Sequence, residues 1–292
     1  MVTNTVSAQY LVSGSPFSQS ASAVFTVQQI INVTVTWQNS SDVSVTAGAS
    51  NQTLLFKATN TGNGTDSFKL TDALVTPGGP SFTPAGCLIY FDTANTGVYS
   101  AGDVLYTAGT NDPSLAQNAS KNMLIVCNIP ASAVDASLGE MQLTATSKTA
   151  SGTFGTVNTG GGVGGVDAIV GPTGGTANAT GIYQVHQIAF AYVMSESVTD
   201  PGGGSLVVSG STITYTLTVT PSGTATADST VITDPVSANT TYVTGSLLLN
   251  GSAVAPATGD YNVTTPGAVT VKLGNVPGTT SAQIIKFQVQ IN

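Results

Sequence analysis

Residues 212–220 read TITYTLTVT, and this stretch decides the fold class. Its apolar side chains alternate with five threonines and are Ile213, Tyr215, Leu217 and Val219. Strict alternation of this kind is typical of a β-strand that places one face on a core and the other in water. Because antiparallel sheets often have one wet face, the stretch predicts an antiparallel β-sandwich.

The same alternation recurs along the chain, and helix signals are nearly absent. Residues 30–38 read IINVTVTWQ, and comparable runs lie between clusters of Gly, Asn, Asp and Pro. Such clusters are typical of turns between strands. The sequence therefore predicts an all-β protein.

An internal repeat indicates two related sandwiches. The stretches LLFKATNTGNGTDSFKLTDA (54–73) and TLTVTPSGTATADSTVITDP (216–235) share an alternating strand, a turn with Gly62 or Gly223, and a second strand that ends in Thr-Asp. A chain of 292 residues is long enough for two domains of ~100–200 residues. We predict two tandem Ig-like antiparallel β-sandwich domains.

Composition sets the predicted domain boundaries. An N-terminal strand or hairpin covers residues 1–28, the first sandwich covers 29–150 and the second sandwich covers 182–292. Residues 151–181 between the sandwiches are rich in Gly and Thr, with VDAIV as their only apolar island. This segment is either a long connection along a domain surface or a flexible linker.

Residues 210–251 read GSTITYTLTVTPSGTATADSTVITDPVSANTTYVTGSLLLNG and resemble a sandwich repeat of bacterial and archaeal surface proteins, domain of unknown function eleven. The first half, with VTVTWQ (33–38), ATNTGNGTD (58–66) and GVYSAGDVLYTAGTNDPSLA (97–116), is similar to the domain that precedes that repeat in secreted proteins. The resemblance implies a β-sandwich fold and an extracellular, cell-surface setting. It implies no activity, because the family has no assigned function.

The charge pattern argues against several partners. The chain has no arginine, six lysines and a net charge of -8, so it has no patch that could neutralise phosphates. Nucleic acids and anionic membranes are therefore poor partners. No apolar run approaches the ~20 residues of a membrane helix, and we expect no membrane insertion. The start lacks a secretory signal, and we interpret this as removal of the signal before residue 1.

Catalytic constellations are missing from the sequence. His186 is the only histidine, and no Cys or acidic cluster accompanies it. Glu140 and Glu196 fall in different predicted domains, so they cannot form a carboxylate pair. Gly160–Gly165 reads GGGVGG, but no helix signal follows it, and such a motif carries little meaning without a helix. We expect neither enzyme activity nor a cofactor, with calcium left open.

Residues 92–103, DTANTGVYSAGD, have the frame of a calcium loop. Asp92, Ser100 and Asp103 take positions 1, 9 and 12, with a glycine at position 6. Ala94 and Thr96 stand where oxygen donors usually lie, so two ligands are lost. Either a weak calcium site or an ordinary Gly-rich turn fits this pattern.

Cys87 and Cys127 lie in apolar, strand-like runs of the first predicted domain. In an oxidising compartment, closing a loop of this size would stabilise the fold by ~3–4 kcal/mol. The pair is either a disulfide or two separately buried thiols.

The first residues read as a strand ahead of any domain. Val2, Val6, Tyr10 and Val12 share one face, and a lone strand or hairpin is marginal in water unless it docks. One possibility is that the strand packs on its own first domain as an extra edge. The other is donor strand complementation, in which it completes a sheet of a neighbouring copy.

These observations favour a secreted structural subunit of a pilus-like extracellular filament, a homopolymer whose partners are copies of itself. The alternative is a stalk or ligand-binding module of a cell-surface adhesin or surface coat. The sequence leaves open which domain would receive the strand.

Overall fold

The protein is all-β, which confirms the predicted fold class. The structure, a computed structural model, describes residues 2–292. Within this range the only helical element is a single turn of 3-10 helix at Val163–Gly165. No helix in the described range is long and apolar enough to cross a membrane.

A β-hairpin precedes the sandwiches. Strand β1 (Val2–Val12) pairs antiparallel with β2 (Ser15–Phe25), and together they form a separate two-stranded sheet. Ser13 and Gly14 join them and both have positive φ, which is the turn type whose twist matches that of a hairpin.

The first compact unit contains the hairpin, the rest of the chain up to Ala133, and Leu138–Gln184. Its remaining strands are β3 (Gln29–Ile31), β4 (Val33–Trp37), β5 (Val43–Val45), β6 (Gln52–Asn60), β7 (Asp66–Val75), β8 (Ala85–Phe91), β9 (Val104–Leu105), β10 (Ser114–Leu115), β11 (Ser120–Asn128), β12 (Leu138–Ser147), β13 (Val157–Asn158), β14 (Ala168–Val170) and β15 (Thr176–Val185).

Two five-stranded sheets form the first sandwich. Their orders are β4-β6-β11-β8-β9 and β10-β7-β12-β15-β5. The pairs β4–β6, β6–β11, β11–β8, β7–β12 and β12–β15 are antiparallel. In β6 and β12 buried residues alternate with partly exposed ones, as expected for strands with one face on a core. The largest fully buried side chains of this core include Leu54, Phe56, Phe68, Leu143 and Tyr183.

The Gly/Thr-rich segment 151–181 differs from its prediction as a connection between domains. It supplies β13, β14 and the first part of β15, and all three belong to the first unit. Strand β14 pairs parallel with β3, and Ala168 and Val170 are fully buried. The apolar island VDAIV is therefore a core strand, and the glycines around it form turns that bring it against β3.

The second compact unit contains Val134–Ser137 and Val185–Asn292. Its strands are β16 (Ile188–Thr199), β17 (Thr212–Gly223), β18 (Thr226–Pro235), β19 (Thr240–Tyr242), β20 (Leu248–Leu249), β21 (Ser252–Ala253), β22 (Gly259–Tyr261), β23 (Ala268–Pro277) and β24 (Gln283–Ile291). One sheet has the order β16-β17-β24-β20-β21, with β19 also on β24, and the other has the order β18-β23-β22.

The decisive stretch TITYTLTVT lies in β17. Leu217 and Val219 are buried in the core of this unit with Val269, Val271 and Phe287. Ile213 and Tyr215, on the same face, pack against the margin of that core. The alternation of the sequence is thus the alternation between core and solvent.

The two glycines of the internal repeat have the same role. In each unit the strand before the glycine lies in one sheet and the strand after it lies in the other. A side chain at Gly62 would overlap the carbonyl oxygen of Ile30, and one at Gly223 would overlap that of Gln187. At both positions the chain passes from one sheet to the other, and the space there admits the hydrogen atom of glycine but no Cβ.

We predict that Gly223→Ala selectively destabilises the second unit. Gly223 has φ +114° and no room for a Cβ, whereas the control Gly245→Ala has φ +78° and open space around it. Positive φ alone costs about 1 kcal/mol, and backbone overlap adds to this, so we expect a loss of about 3 kcal/mol or more for Gly223→Ala. Chemical denaturation measures both losses, and equal values for the two variants would contradict the prediction.

Candidate assembly interface

The hairpin has one mainly apolar and one mainly polar face. Because Tyr10 pairs with Phe17 and Val2 pairs with Phe25, each pair lies on the same face. This apolar face also includes the polar residues Asn4, Ser15 and Gln19, and its apolar members are Val2, Val6, Ala8, Tyr10, Val12, Phe17, Ala21, Ala23 and Phe25. The rings of Tyr10 and Phe17 stack with centroids 5.8 Å apart, which aligns the two strands.

All residues of β1 and β2 are exposed to solvent. The six large side chains of the apolar face expose between 43% and 65% of their surface, and they are Val2, Val6, Tyr10, Val12, Phe17 and Phe25. Monomeric proteins rarely expose an apolar surface of this extent without a binding role. The four predicted donor residues thus lie together on one uncovered face.

The hairpin also lacks charge. No Asp, Glu, Lys or Arg occurs between residues 2 and 41, although the whole chain has a net charge of -8. The polar face carries Ser, Thr and Gln together with Leu11, Pro16 and Val24, and the hydroxyls of Thr5 and Ser22 hydrogen-bond across it at 2.8 Å. Burial of this ribbon would not require the removal of water from any charged group.

The base of the hairpin is fixed to the first sandwich. Three residues separate β2 from β3, and Gln29 at the start of β3 is buried. Its side-chain amide donates to the Thr65 carbonyl at 3.0 Å and accepts from the Val163 N–H at 2.7 Å. The ribbon thus extends from an ordered attachment.

The structure contains a hairpin in the segment 1–28, where the sequence offered a strand or hairpin. Residues 15–19, SPFSQ, open β2 and place Phe17 opposite Tyr10. The Ser13-Gly14 pair marks the turn, because a small residue followed by Gly between alternating runs is typical of a two-residue hairpin turn.

Cys87 and Cys127, the predicted pair, form a disulfide in the structure. They lie on the neighbouring strands β8 and β11, where the register shifts between Val126 and Asn128. The bond fastens two strands of one sheet within the first sandwich.

The predicted calcium loop is closed by its own hydrogen bonds. The Asp92 carboxylate accepts the N–H groups of Thr96 and Gly97 at 3.0 and 2.9 Å. Asp103 accepts the N–H of Ser100 at 2.7 Å and that of Thr93 at 3.0 Å. Among residues 2–292, no group of three or more His, Cys, Asp or Glu is placed to hold a metal. The hydrogen bonds favour the second of the two alternatives, an ordinary Gly-rich turn, over a weak calcium site.

Hydrogen bonds control the charge of Asp103. Burial raises the pKa of this carboxyl, but the N–H and hydroxyl groups of Ser100 and Thr93 lower it by more, so that the pKa lies below its usual value. The negative charge is thus stabilised by backbone donors, which takes over part of the role of a cation.

Asp112, which follows that loop in the sequence, forms an ion pair with Lys148. Its carboxylate contacts the Lys148 ammonium at 2.7 Å and accepts the hydroxyl of Tyr106, also at 2.7 Å. The Tyr106 oxygen in turn accepts the N–H of Leu70 at 2.9 Å. The hydrogen bond from Lys148 is the largest influence that lowers the pKa of Asp112 to about 2, and burial raises the pKa of Tyr106 to about 12.

His186 belongs to a hydrogen-bonded cluster of the second unit. Thr224 Oγ1 lies 2.9 Å from His186 Nδ1 and donates to Asp135 at 2.7 Å. Asp135 also accepts the N–H of Gln187 at 2.7 Å. These contacts tie the start of β16 and the β17–β18 turn to the segment Val134–Ser137.

No model of a known protein family matches the chain, and no curated protein matches it. The resemblance of residues 210–251 to a surface-protein repeat therefore stays a prediction. Two solved structures, named BspA_C_WT and BspA_C_mut, are similar with TM-scores of 0.36 and 0.34 and identities of 9% and 10%. They cover 88% and 89% of this chain, and 91% and 90% of their own.

A third solved structure, from Corynebacterium diphtheriae and described as a membrane-anchored protein, has a TM-score of 0.24 and 13% identity. The match covers 99% of this chain and 89% of that chain. At such scores these similarities carry no conclusion about function.

We predict that calcium does not stabilise the protein, because the carboxylates of the loop already have N–H partners. A site with a Kd of ~0.1 mM, occupied at ~10 mM calcium, would add about 2.7 kcal/mol of stability. Thermal unfolding with calcium and with chelator measures this difference. A Tm several degrees higher in calcium, and lost in Asp92→Asn, would instead establish the site.

We predict that Asp112→Asn lowers the free energy of unfolding of the first unit by about 1–2 kcal/mol near pH 6. The pKa of Asp112 falls from its usual 3.8 to about 2 in the folded protein. Its stabilisation is therefore complete above about pH 4 and is lost as the pH falls towards 2. Denaturation at pH 6 and pH 2 should show a smaller difference between wild type and variant at pH 2. The exposed Asp72→Asn is the control.

Proposed function

We propose that this protein is a secreted structural subunit that assembles head to tail into an extracellular filament through its β-hairpin. One observation carries the proposal: β1 and β2 form a ribbon with a mainly apolar face that nothing in the described chain covers. A contact between a hairpin and a different surface of the next copy does not close on itself, so it generates a fibre.

Apolar burial would drive such a contact. Val2, Val6, Tyr10 and Val12 expose about half of their surface, so their burial gives a gross gain on the order of 3–6 kcal/mol, to which Phe17 and Phe25 add. Main-chain hydrogen bonds along a strand edge contribute further, and the ordering of two molecules subtracts.

The surface composition supports close packing of copies. Only 7% of residues are charged, against the ~25% of an average soluble domain. Thr, Ser, Asn and Gln supply the polarity instead, and these groups lose less on leaving water than charged groups do. Subunits can therefore approach each other although each carries a net charge of -8.

The alternative function is a stalk or ligand-binding module of a surface adhesin or coat. The exposed apolar tip Leu206–Val208 of the second unit favours it, since Asp200 fixes that loop by accepting the N–H groups of Gly202, Gly204 and Leu206. A fixed apolar loop is a plausible contact surface for a ligand.

We expect Val6→Asp combined with Tyr10→Asp to abolish polymerisation, as should deletion of residues 1–12, while both sandwiches stay folded. The reason is that charge on the apolar face cannot be buried without a partner. The matched control, Ser7→Asp with Gln9→Asp, places the same charges on the polar face and should assemble as wild type does.

Negative-stain microscopy and sedimentation measure assembly, and circular dichroism measures folding. Fibres that persist in the Val6/Tyr10 variant would contradict assembly through the hairpin, and would indicate that the hairpin packs on its own domain. Wild-type protein that stays monomeric at high concentration would favour the stalk.

A further inference from the structure

The strand after the repeat glycine has a partly covered outer edge in the first sandwich and an open one in the second. In the first sandwich β7 follows the Gly62 turn, and the first half of its outer edge is covered: Phe68 donates its N–H to the Pro113 carbonyl at 3.1 Å and Leu70 donates to the Tyr106 hydroxyl. In the second sandwich β18 follows the equivalent Gly223 turn and, within the described residues, pairs only with β23. A ten-residue edge is left open.

A second long edge, β16, lies on the same side of this sandwich. The Ala225 N–H, just before β18, donates at 3.0 Å to the carbonyl of Gln187, just before β16. At the other end of the three-stranded sheet, the ring of Tyr261 in β22 stacks on that of Tyr242 in β19, with centroids 4.4 Å apart. Strands β16 and β18 therefore start side by side at one open edge of the sandwich.

Core-facing side chains of β16 lack a cover. Because Tyr192 pairs with the buried Val219, and Met194 with the buried Leu217, both point toward the opposite sheet. They nevertheless expose 58% and 49% of their surface. The opposite sheet has only three strands, and none of them covers these two side chains.

Polar atoms on β18 also lack partners. Thr230 Oγ1 and Asp234 Oδ2 are buried and have no hydrogen-bond partner among residues 2–292; Thr270 on the adjacent strand is the third such group. Thr230, Ile232 and Asp234 stand at every second position of β18 and therefore share one face. Ile232 packs on the core, so this face points inward. Burial raises the pKa of Asp234. Buried polar groups normally have partners, which indicates that something is missing beside β18.

We infer that this open edge, formed by β16 and β18, is the acceptor for the hairpin of a second copy, which pairs along β18 and covers Tyr192 and Met194. The inference rests on the proposed assembly through the hairpin. The three-stranded sheet would then gain two strands and oppose the whole of its larger partner. Such an addition satisfies the edge N–H and C=O groups of both molecules.

Length and area favour a second copy as the occupant. Strands β1 and β2 have eleven residues each and β18 has ten, with an irregularity near Thr230, so the edges are of similar length. A ribbon about 35 Å long and two strands wide offers several hundred Å² per partner, near the ~800 Å² of a standard interface. The acceptor edge carries Glu196, Asp228 and Asp234, and the uncharged ribbon adds no like charge beside them.

Full-length variants test the acceptor. The donor variant carries Val6→Asp and Tyr10→Asp, and the acceptor variant carries Tyr192→Asp and Met194→Asp. The control is Val193→Asp, on the opposite face of β16 and 65% exposed. Each double variant alone should lose assembly by at least about tenfold, the equivalent of about 1.4 kcal/mol. Mixed together, they should form one-to-one dimers, because one keeps the hairpin and the other keeps the edge.

Sedimentation and native mass spectrometry distinguish the outcomes. If the acceptor variant forms fibres while the donor variant does not, the hairpin docks elsewhere, and this inference fails although hairpin-mediated assembly stands. If the donor variant forms fibres, the proposed function itself fails. If the wild type is monomeric and only the acceptor variant exposes its hairpin to protease, the hairpin docks within its own chain, which also overturns the inference. Should the acceptor variant not fold, Tyr192→Ser with Met194→Ser replaces it.

Discussion

Hydrogen-bonding groups along the edge of a β-sheet need partners, and this requirement organises the whole protein. The first sandwich meets it with strands of two or three residues and with side chains such as Tyr106, whose hydroxyl accepts the N–H of Leu70. The hairpin meets it only on the inner edges of its two strands. The second sandwich leaves β16 and β18 uncovered. The chain thus contains a hairpin with unpaired outer edges and a three-stranded sheet that faces a larger one.

Carboxylates fix several loops of this protein by accepting backbone N–H groups. Asp92, Asp103, Asp200 and Asp260 each accept N–H groups of their own loop. Burial alone would raise the pKa of Asp103, yet its hydrogen bonds lower it, and turns are held without Arg and with few Lys. Asp234 is the exception, because burial raises its pKa and nothing in the described chain donates to it.

The alternation of apolar and hydroxyl side chains was enough to predict the all-β class, because period two reports directly which side chains face a core, as in β17. It also placed Val2, Val6, Tyr10 and Val12 on one face. The prediction from composition that residues 151–181 connect the two domains was wrong. Pairing with β3 makes part of this Gly-rich segment a core strand of the first unit. The acceptor edge could not be predicted at all. A loop that is distant in sequence can cover an edge strand, and residues 104–115 cover part of β7 in this way. Alternation within β18 does not show whether another loop covers β18.

The position of the lysines has a consequence for survival outside a cell. Trypsin-like proteases cut after Lys or Arg in extended, accessible chain, and loop tips are their preferred sites. Here Lys57, Lys69, Lys121, Lys272 and Lys286 all lie within paired strands, and Lys148 is held by Asp112. Cleavage must therefore wait for local opening of a sandwich. The hairpin, with no basic residue at all, offers such enzymes no site even while it is exposed.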